Sequence, residues 1–321
     1  MGDHKSIGNI LVPILIILLI SFNNMPCEAQ LSSTFYDATC PNALATIQSS
    51  VSTTVSSNRR MAALIIRLLF HDCFVQGCDA SLLLDGAGSE KNAVANRGVI
   101  GFEAIDDAKA AVESVCPGVV SCADILAVAA RDASVEVGGP SWTVRLGRRD
   151  SPAPASADLA NTNLPRGDNN LAQLITSFDR QRLTAREMVA LSGSHTIGQA
   201  RCVTFRARIY DNTSNIDATF AANLRSNCPQ TGGDSNLEPL DLITPNAFDN
   251  NYFRNLVQSR GLLTSDQVLF NGDSTDSIVT EYVDNPSTFD SDFAAAMVKM
   301  SEIDVLTGTS GTVRSLCTTA N

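Results

Sequence analysis

Nine cysteines in 321 residues make an odd set, and the place of one of them resolves the parity. Cys27 belongs to an N-terminal stretch in which Lys5 precedes an apolar run from Ile10 to Ile20. That run is too short to cross a bilayer, and Cys27-Glu28-Ala29 places small residues at −3 and −1 of a cleavage point before Gln30. Residues 1–29 therefore read as a signal peptide. A myristoylation reading of Met1-Gly2 with Ser6 is loose and leaves the apolar run unexplained. The eight remaining cysteines, at 40, 73, 78, 116, 122, 202, 228 and 317, then suit an oxidising compartment and four disulfides. Eight cysteines admit many pairings and spacing selects none, although Cys73 and Cys78 are close enough to clamp one tight loop. Zinc is the weaker alternative, because no closely spaced pair has a second pair to complete a tetrahedron.

Such a chain must fold around a sizeable core: 44% of the residues are hydrophobic and only 18% charged. The formal charge of −11 argues against unspecific binding to nucleic acid or anionic membranes, so partners should be small, neutral or cationic. Asn212-Thr213-Ser214 is the only acceptor sequon and predicts a glycosylated surface loop at Asn212.

Helical periodicity dominates. Met61, Leu64, Ile65, Leu68 and Leu69 recur at helical spacing, while Ala63, Arg67, Phe70, His71 and Phe74 occupy the other face. Further helices are predicted over 43–57, 102–114, 122–136, 171–178, 185–192, 216–227, 249–259, 275–283 and 287–302. Strand-like alternation is confined to short pieces such as Trp142–Leu146. No repeat or linker appears, and the Pro- and Ala-rich stretch 151–160 reads as a loop between halves. The predicted class is all-α, mainly helical, with long ordered loops.

Outside the leader only two histidines remain, His71 and His195. Arg67 and His71 lie one helical turn apart, so a permanent cation sits beside a base. Such a pair could deprotonate a bound acid and stabilise the anion; alone, it could equally be a solvated helix stripe. His195 stands among small residues in Leu191-Ser-Gly-Ser-His-Thr-Ile-Gly198, which leaves room for a flat group, although a core histidine would look similar. The loop after His71 offers carboxylates at Asp72 and Asp79, the Ser81 hydroxyl and turn carbonyls at Val75 and Gly77, a hard-oxygen set suited to calcium. A second oxygen-rich cluster spans Asp241, Thr244 and Asp249 and could recruit Thr196; by itself it could be a helix cap.

Four motifs join these signals: Arg67-Leu-Leu-Phe-His-Asp-Cys-Phe-Val-Gln-Gly-Cys-Asp-Ala-Ser81, Gly139-Pro-Ser-Trp-Thr-Val-Arg-Leu-Gly-Arg-Arg-Asp150, Leu191–Gly198 and Gly261-Leu-Leu-Thr-Ser-Asp266. Together they resemble the secretory (class III) plant peroxidases, over essentially all of residues 30–321. The resemblance implies a haem peroxidase fold, with haem b (heme) held between a distal half of about 30–155 and a proximal half of about 156–321. His195 is then the proximal iron ligand and Asp266 the carboxylate that accepts its other ring N–H. His71 is the distal general base, Arg67 stabilises charge as the O–O bond breaks, Asn96 orients His71, and Phe70 walls the pocket. Pro165 lies beside the channel for phenolic donors.

The same resemblance implies two Ca2+ ions. The distal one is bound by Asp72, Val75, Gly77, Asp79 and Ser81, the proximal one by Thr196, Asp241, Thr244, Ala247 and Asp249. It implies disulfides Cys40–Cys116, Cys73–Cys78, Cys122–Cys317 and Cys202–Cys228. The expected reaction is reduction of hydrogen peroxide to water with one-electron oxidation of phenols, by a monomer in the apoplast or cell wall. Only four residues follow Cys317, too few for the extension of vacuolar members. Two positions depart from the family pattern. Ala95 precedes Asn96 where Pro or Gly is common, and Arg166 follows Pro165 where a small residue is common, which suggests a preference for donors bearing a carboxylate.

Two other classes compete. A secreted wall glycoprotein on this scaffold with little turnover would be expected to have lost a residue among Arg67, His71, Asn96, His195 and Asp266, and all are present. A calcium-dependent hydrolase would need a nucleophile, and no Gly-x-Ser-x-Gly elbow supplies one.

Overall fold

The central helix of the first half owes its position to small side chains and a local cap. In the computed structural model, which describes residues 31–211 and 215–320, α1 (Ala43–Ser57) and α2 (Met61–Cys73) are followed by α3 (Phe102–Val115) and α4 (Cys122–Glu136). The signal peptide and the Asn212 sequon lie outside the described residues. Ser121 caps α4 by accepting from the Asp124 amide, and twelve of its fifteen residues are buried, many of them alanines. A helix apolar on nearly every side must be covered all round, and its small side chains let α1 and α2 pack closely against it.

The chain then runs through β1 (Arg148–Arg149), α5 (Ala157–Asn163), α6 (Leu171–Arg180) and α7 (Ala185–Ser192). Asn170 with Gln173, and Thr184 with Glu187, form capping boxes that fix where α6 and α7 begin. After β2 (Gln199–Arg201) come α8 (Cys202–Tyr210), α9 (Ala218–Asn227), β3 (Leu237–Pro239), α10 (Asn251–Val257) and α11 (Thr264–Gln267). The last elements are α12 (Asp276–Asp284), α13 (Pro286–Met300) and β4 (Leu306–Thr307). The strands form two antiparallel pairs, β1 with β4 and β2 with β3. α13 packs on α7, and α10 on α12. Residues 31–321 form one unit, and a continuous apolar core runs from Tyr36 to Cys317, with a smaller cluster beneath α8 and α9.

The expected strand over Trp142–Leu146 does not form. Trp142, Val144 and Leu146 are buried and Ser141, Thr143 and Arg145 exposed, so the alternation is real. The segment is extended over the core, and only Leu146 exchanges backbone hydrogen bonds, with Ser32. The expected helix over 249–259 is also shorter: Asp249 stands outside α10 and accepts from the Asn251 amide.

The four disulfides are those the resemblance implied: Cys40–Cys116, Cys73–Cys78, Cys122–Cys317 and Cys202–Cys228. Buried ion pairs reinforce the frame. The Asp124 carboxylate accepts from the Tyr36 hydroxyl at 2.7 Å, the Gly147 amide at 2.7 Å and Arg148 Nη1 at 2.9 Å, while Arg148 Nε donates to the Ser301 carbonyl at 2.8 Å. Asp150 accepts from the Ala123 and Arg314 amides, both at 2.9 Å. Removing one member of such a buried set leaves an uncompensated charge, at a cost of about 3–5 kcal/mol.

Candidate active site

α2 carries the first half of the site. Arg67 and His71, four residues apart, share a face, and Arg67 Nε donates to His71 Nε2 at 3.0 Å. His71 Nε2 must then be the unprotonated nitrogen, so Nδ1 carries the hydrogen and donates to Asn96 Oδ1 at 2.6 Å. Asn96 is held by its own Nδ2, which donates to the Glu90 carbonyl at 2.8 Å. Burial, then the Arg67 cation, push the His71 imidazole down to about 3, against the opposing effect of its hydrogen bond to Asn96. His71 is therefore neutral at ordinary pH, with a basic lone pair at Nε2. Phe70 packs on Phe74 at 4.1 Å between ring centroids, and Phe178 of α6 closes the cluster at 4.9 Å from Phe74.

The second histidine is held differently. His195 lies in the tight turn Gly193–Thr196 after α7, where a Cβ on Gly193 would come within 2.4 Å of Phe289. Its Nδ1 donates to Asp266 Oδ1 at 2.7 Å. The same oxygen accepts from the Tyr252 hydroxyl at 3.1 Å, and Asp266 Oδ2 accepts from the Leu263 amide at 2.9 Å. With Nδ1 engaged, Nε2 is left free to coordinate a metal, and the His195 side chain is 35% exposed where Asp266 is buried. Gly198 brings this turn against α2: its φ is +97°, and a Cβ there would lie 2.9 Å from Ala63 Cβ.

The cations along and beside α2 fit a ligand with anionic groups. Arg67 Nη1 donates to the Gly98 carbonyl at 3.3 Å, and Arg201 approaches the same glycine. Burial and the neighbouring Arg201 cation lower the Arg67 guanidinium to about 10, and no carboxylate pairs with either arginine among the described residues. Arg60, at the start of α2, has a buried Nε without a partner. Acidic side groups of a bound cofactor would relieve the Arg67 and Arg201 cations.

Parts of the two expected oxygen clusters come together, although no group of three or more His, Cys, Asp or Glu side chains is arranged as a metal site among the described residues. Asp72 Oδ2 accepts from the Ala80 amide at 2.9 Å, and Asp79 Oδ1 from the Ser81 amide at 3.0 Å. Ser81 Oγ donates to Glu90 Oε1 at 2.6 Å. Burial and the neighbouring Asp79 and Glu90 hold the Asp72 carboxyl well above the usual carboxylate range, and Glu90 is pushed up to about 7. Three buried carboxylates with one another for neighbours are a place where a hard cation lowers the energy. The Val75 carbonyl accepts from Asn163 Nδ2 at 2.7 Å and the Gly77 carbonyl from the Asp79 amide at 2.9 Å, each keeping a second lone pair.

In the other cluster the Thr196 hydroxyl lies 3.1 Å from Asp241 Oδ2 and 3.2 Å from Asp249 Oδ1. Thr244 Oγ1 donates to Asp249 Oδ2 at 2.7 Å, and the Ala247 amide to the Thr244 carbonyl at 3.0 Å. Asp249 thus does more than cap a helix. Pro165 is half-buried in a loop tied to α11, where the Ser265 amide donates to the Gly167 carbonyl at 3.0 Å. Arg166 is exposed and engaged by Asp168, Nε to Oδ1 at 3.0 Å and Nη2 to Oδ2 at 3.2 Å.

Sequence reasoning did not single out Glu90, Tyr252 or Arg201. Glu90 has a weak signal, an acidic residue six positions before Asn96. Tyr252 and Arg201 have none, since both reach the site through tertiary packing.

A family profile described as peroxidase matches residues 47–285. A basic peroxidase from Zinnia elegans is 70% identical over 318 residues, covering 99% of each chain, although its name describes a charge opposite to the −11 found here. A lignin-forming anionic peroxidase from Nicotiana sylvestris is 61% identical, covering 94% of this chain and 95% of its own, and peroxidase 5 from Arabidopsis thaliana is 55% identical, covering 96% and 98%. With two differently poised histidines in one mainly helical frame, this chain belongs to the class III plant peroxidase family and is a haem enzyme, an oxidoreductase acting on hydrogen peroxide.

Proposed function

We propose that His71, Arg67 and Asn96 carry the proton chemistry of peroxide cleavage, and that His195 and Asp266 hold the iron. The chemistry contributed by bound haem b is two-electron reduction of peroxide followed by two one-electron oxidations of donors. His71 Nε2 takes the proton from the near oxygen of hydrogen peroxide and returns it to the departing oxygen, which leaves as water. Asn96 keeps Nδ1 protonated so that Nε2 stays the base. Arg67 stabilises the negative charge that develops on the departing oxygen, in a site where burial strengthens the interaction. Phe70 excludes water from the distal side. Asp266 draws on the His195 Nδ1 proton, making Nε2 a stronger donor to iron and favouring its oxidised forms.

Phenolic donors deliver one electron and one proton at a time beside Pro165. Asp72, Val75, Gly77, Asp79 and Ser81 bind one Ca2+, and Thr196, Asp241, Thr244, Ala247 and Asp249 a second. Both are all-oxygen sets. Through the Ser81–Glu90–Asn96 hydrogen bonds the first ion steadies His71. Residues 1–29 act as a signal peptide, Asn212 carries a glycan, and the protein works as a monomer in the apoplast or cell wall. No described helix is long and apolar enough to cross a membrane.

The observation that carries this reading is the Arg67–His71–Asn96 hydrogen-bond chain opposite a carboxylate-bound His195. The test is the visible spectrum of the purified protein before and after one equivalent of hydrogen peroxide. A Soret band that shifts on peroxide and returns on adding a phenol is expected. A Soret band indifferent to peroxide would remove the roles given to His71 and Arg67.

A further inference from the structure

Of the four tyrosines in the chain, Tyr282 combines a route to His195 with a proton acceptor near the surface. It is buried in α12, and its hydroxyl donates to Asp292 Oδ2 at 2.8 Å. A line of rings leads from it to the proximal histidine. Tyr282 packs against Phe253 with centroids 5.1 Å apart, Phe253 against Tyr252 at 5.0 Å, and Tyr252 edge-on against His195 at 6.1 Å. Each step is an ordinary aromatic contact, so together they make an unbroken π-rich path through the core.

Tyr252 is nearer but is a poor resting place for a lost electron. A phenol gives up an electron readily only if its proton has somewhere to go. Asp266, the partner of Tyr252, is buried and already accepts from His195 and the Leu263 amide. Asp292 is 29% exposed. It shares Arg186 with Glu281: Arg186 Nε donates to Asp292 Oδ2 at 2.7 Å and Nη1 to Glu281 Oε2 at 2.8 Å. Two carboxylates against one guanidinium leave one excess negative charge, which an arriving proton neutralises. Arg186 also lies over the Tyr282 ring, 5.4 Å from its centroid.

We propose that Tyr282 is a second one-electron donor to the oxidised haem, reached through Phe253 and Tyr252, and that it opens an exit for oxidising equivalents at the surface beside Asp292. The inference rests on the haem reading given above. Peroxide supplies the oxidising equivalents. One electron leaves the Tyr282 ring for the oxidised haem while its hydroxyl proton moves to Asp292 Oδ2, giving a neutral tyrosyl radical and a haem reduced by one equivalent. A phenol at the surface restores Tyr282 by giving it one electron, the proton returns from Asp292, and the phenol loses its own proton to water. Burial, then the hydrogen bond to Asp292, raise the Tyr282 hydroxyl far above its ordinary value, so the group is protonated whenever oxidation begins.

The test is rapid-freeze electron paramagnetic resonance of the calcium-loaded holoenzyme, mixed with hydrogen peroxide without donor, with the Soret band recorded on the same samples. The native enzyme is expected to show a tyrosyl signal that disappears in Tyr282→Phe. In Asp292→Asn, which keeps the ring and alters only a partly exposed side chain, the signal should form about 100-fold more slowly, the scale of a lost proton acceptor. A Soret band that shifts on peroxide in native enzyme without any tyrosyl signal would overturn the assignment. So would a signal unchanged in both variants, which would belong to another residue. A native Soret band that ignores peroxide would overturn the haem reading itself, and the relay with it.

Discussion

The two histidines are each held through Nδ1, but by partners of different charge. His71 sits inside a helix, fully surrounded, with an amide oxygen on Nδ1 and a guanidinium on Nε2. His195 sits in a turn, a third exposed, with a carboxylate on Nδ1. An amide oxygen fixes a tautomer without adding charge, so burial and Arg67 keep the His71 ring neutral and ready to take a proton. A carboxylate fixes the same tautomer and enriches the ring with electron density, which suits a metal ligand. In the proposed assignment, the partner on Nδ1, more than the histidine itself, divides base from ligand.

The contrast can be broken first at its base. His71→Leu should slow the reaction with peroxide by about 10²–10⁴-fold while the Soret band persists, as stopped-flow spectroscopy would register. An unchanged rate would show that His71 is not the base. On the other side, Asp266→Asn removes the carboxylate from His195 and should lower activity by about 10–100-fold, with a shift in iron reduction potential measured by spectroelectrochemistry.

Asn96→Asp would sharpen the comparison by giving His71 a carboxylate partner. With His71 as the proposed base, the native rate with peroxide should hold as pH falls and decline only near the folded value of about 3. With aspartate at 96 the imidazolium is favoured, and the acid limb should move upward by several pH units. A profile that stays put would mean that the partner on Nδ1 does not set the basicity of His71.

Calcium removal should act on both halves through the clusters behind each histidine. A chelator is expected to lower the melting temperature and activity together, with about 2.7 kcal/mol lost per site if calcium stood at 100 times its dissociation constant. Unchanged melting would reduce the clusters to caps and turns. The smallest effect is expected at Arg166, whose charge is matched by Asp168 in an exposed pair. Arg166→Ala should alter the relative rates of hydroxycinnamic acids and their esters by less than about fivefold, since exposed pairs are worth about 0–1 kcal/mol. A larger change would make Arg166 a donor-selecting residue.

What the sequence discloses follows the range over which each force acts. α1, α4 and α7 begin and end where their periodicity and flanking residues predict, because caps and amphipathic spacing are local. α5 and α8 escape notice: one is short and polar, and the other has little apolar periodicity. The Trp142–Leu146 stretch has the burial pattern of a strand but no neighbour to pair with beyond Ser32. Within the site, Arg67 and His71 are legible as a pair because one helical turn separates them. Asn96 and Asp266 lie 25 and 71 residues from their histidines, so only family resemblance points to them. Glu90 and Arg201 act through folded proximity alone, and no spacing rule reaches them.

The ties between Asp150 and Arg314, and between Cys122 and Cys317, also set a timetable. A ribosome adding about 5–20 residues per second needs roughly 10–40 seconds to cover the 195 positions between the two cysteines. Throughout that interval Cys122 is a thiol without its mate, and for most of it Asp150 has a buried place to occupy but no Arg314 to meet, 164 residues on. The part of the chain that holds His71 can close Cys40–Cys116 and Cys73–Cys78 by itself, but its tie through Cys122 waits for Cys317, near the end of the chain.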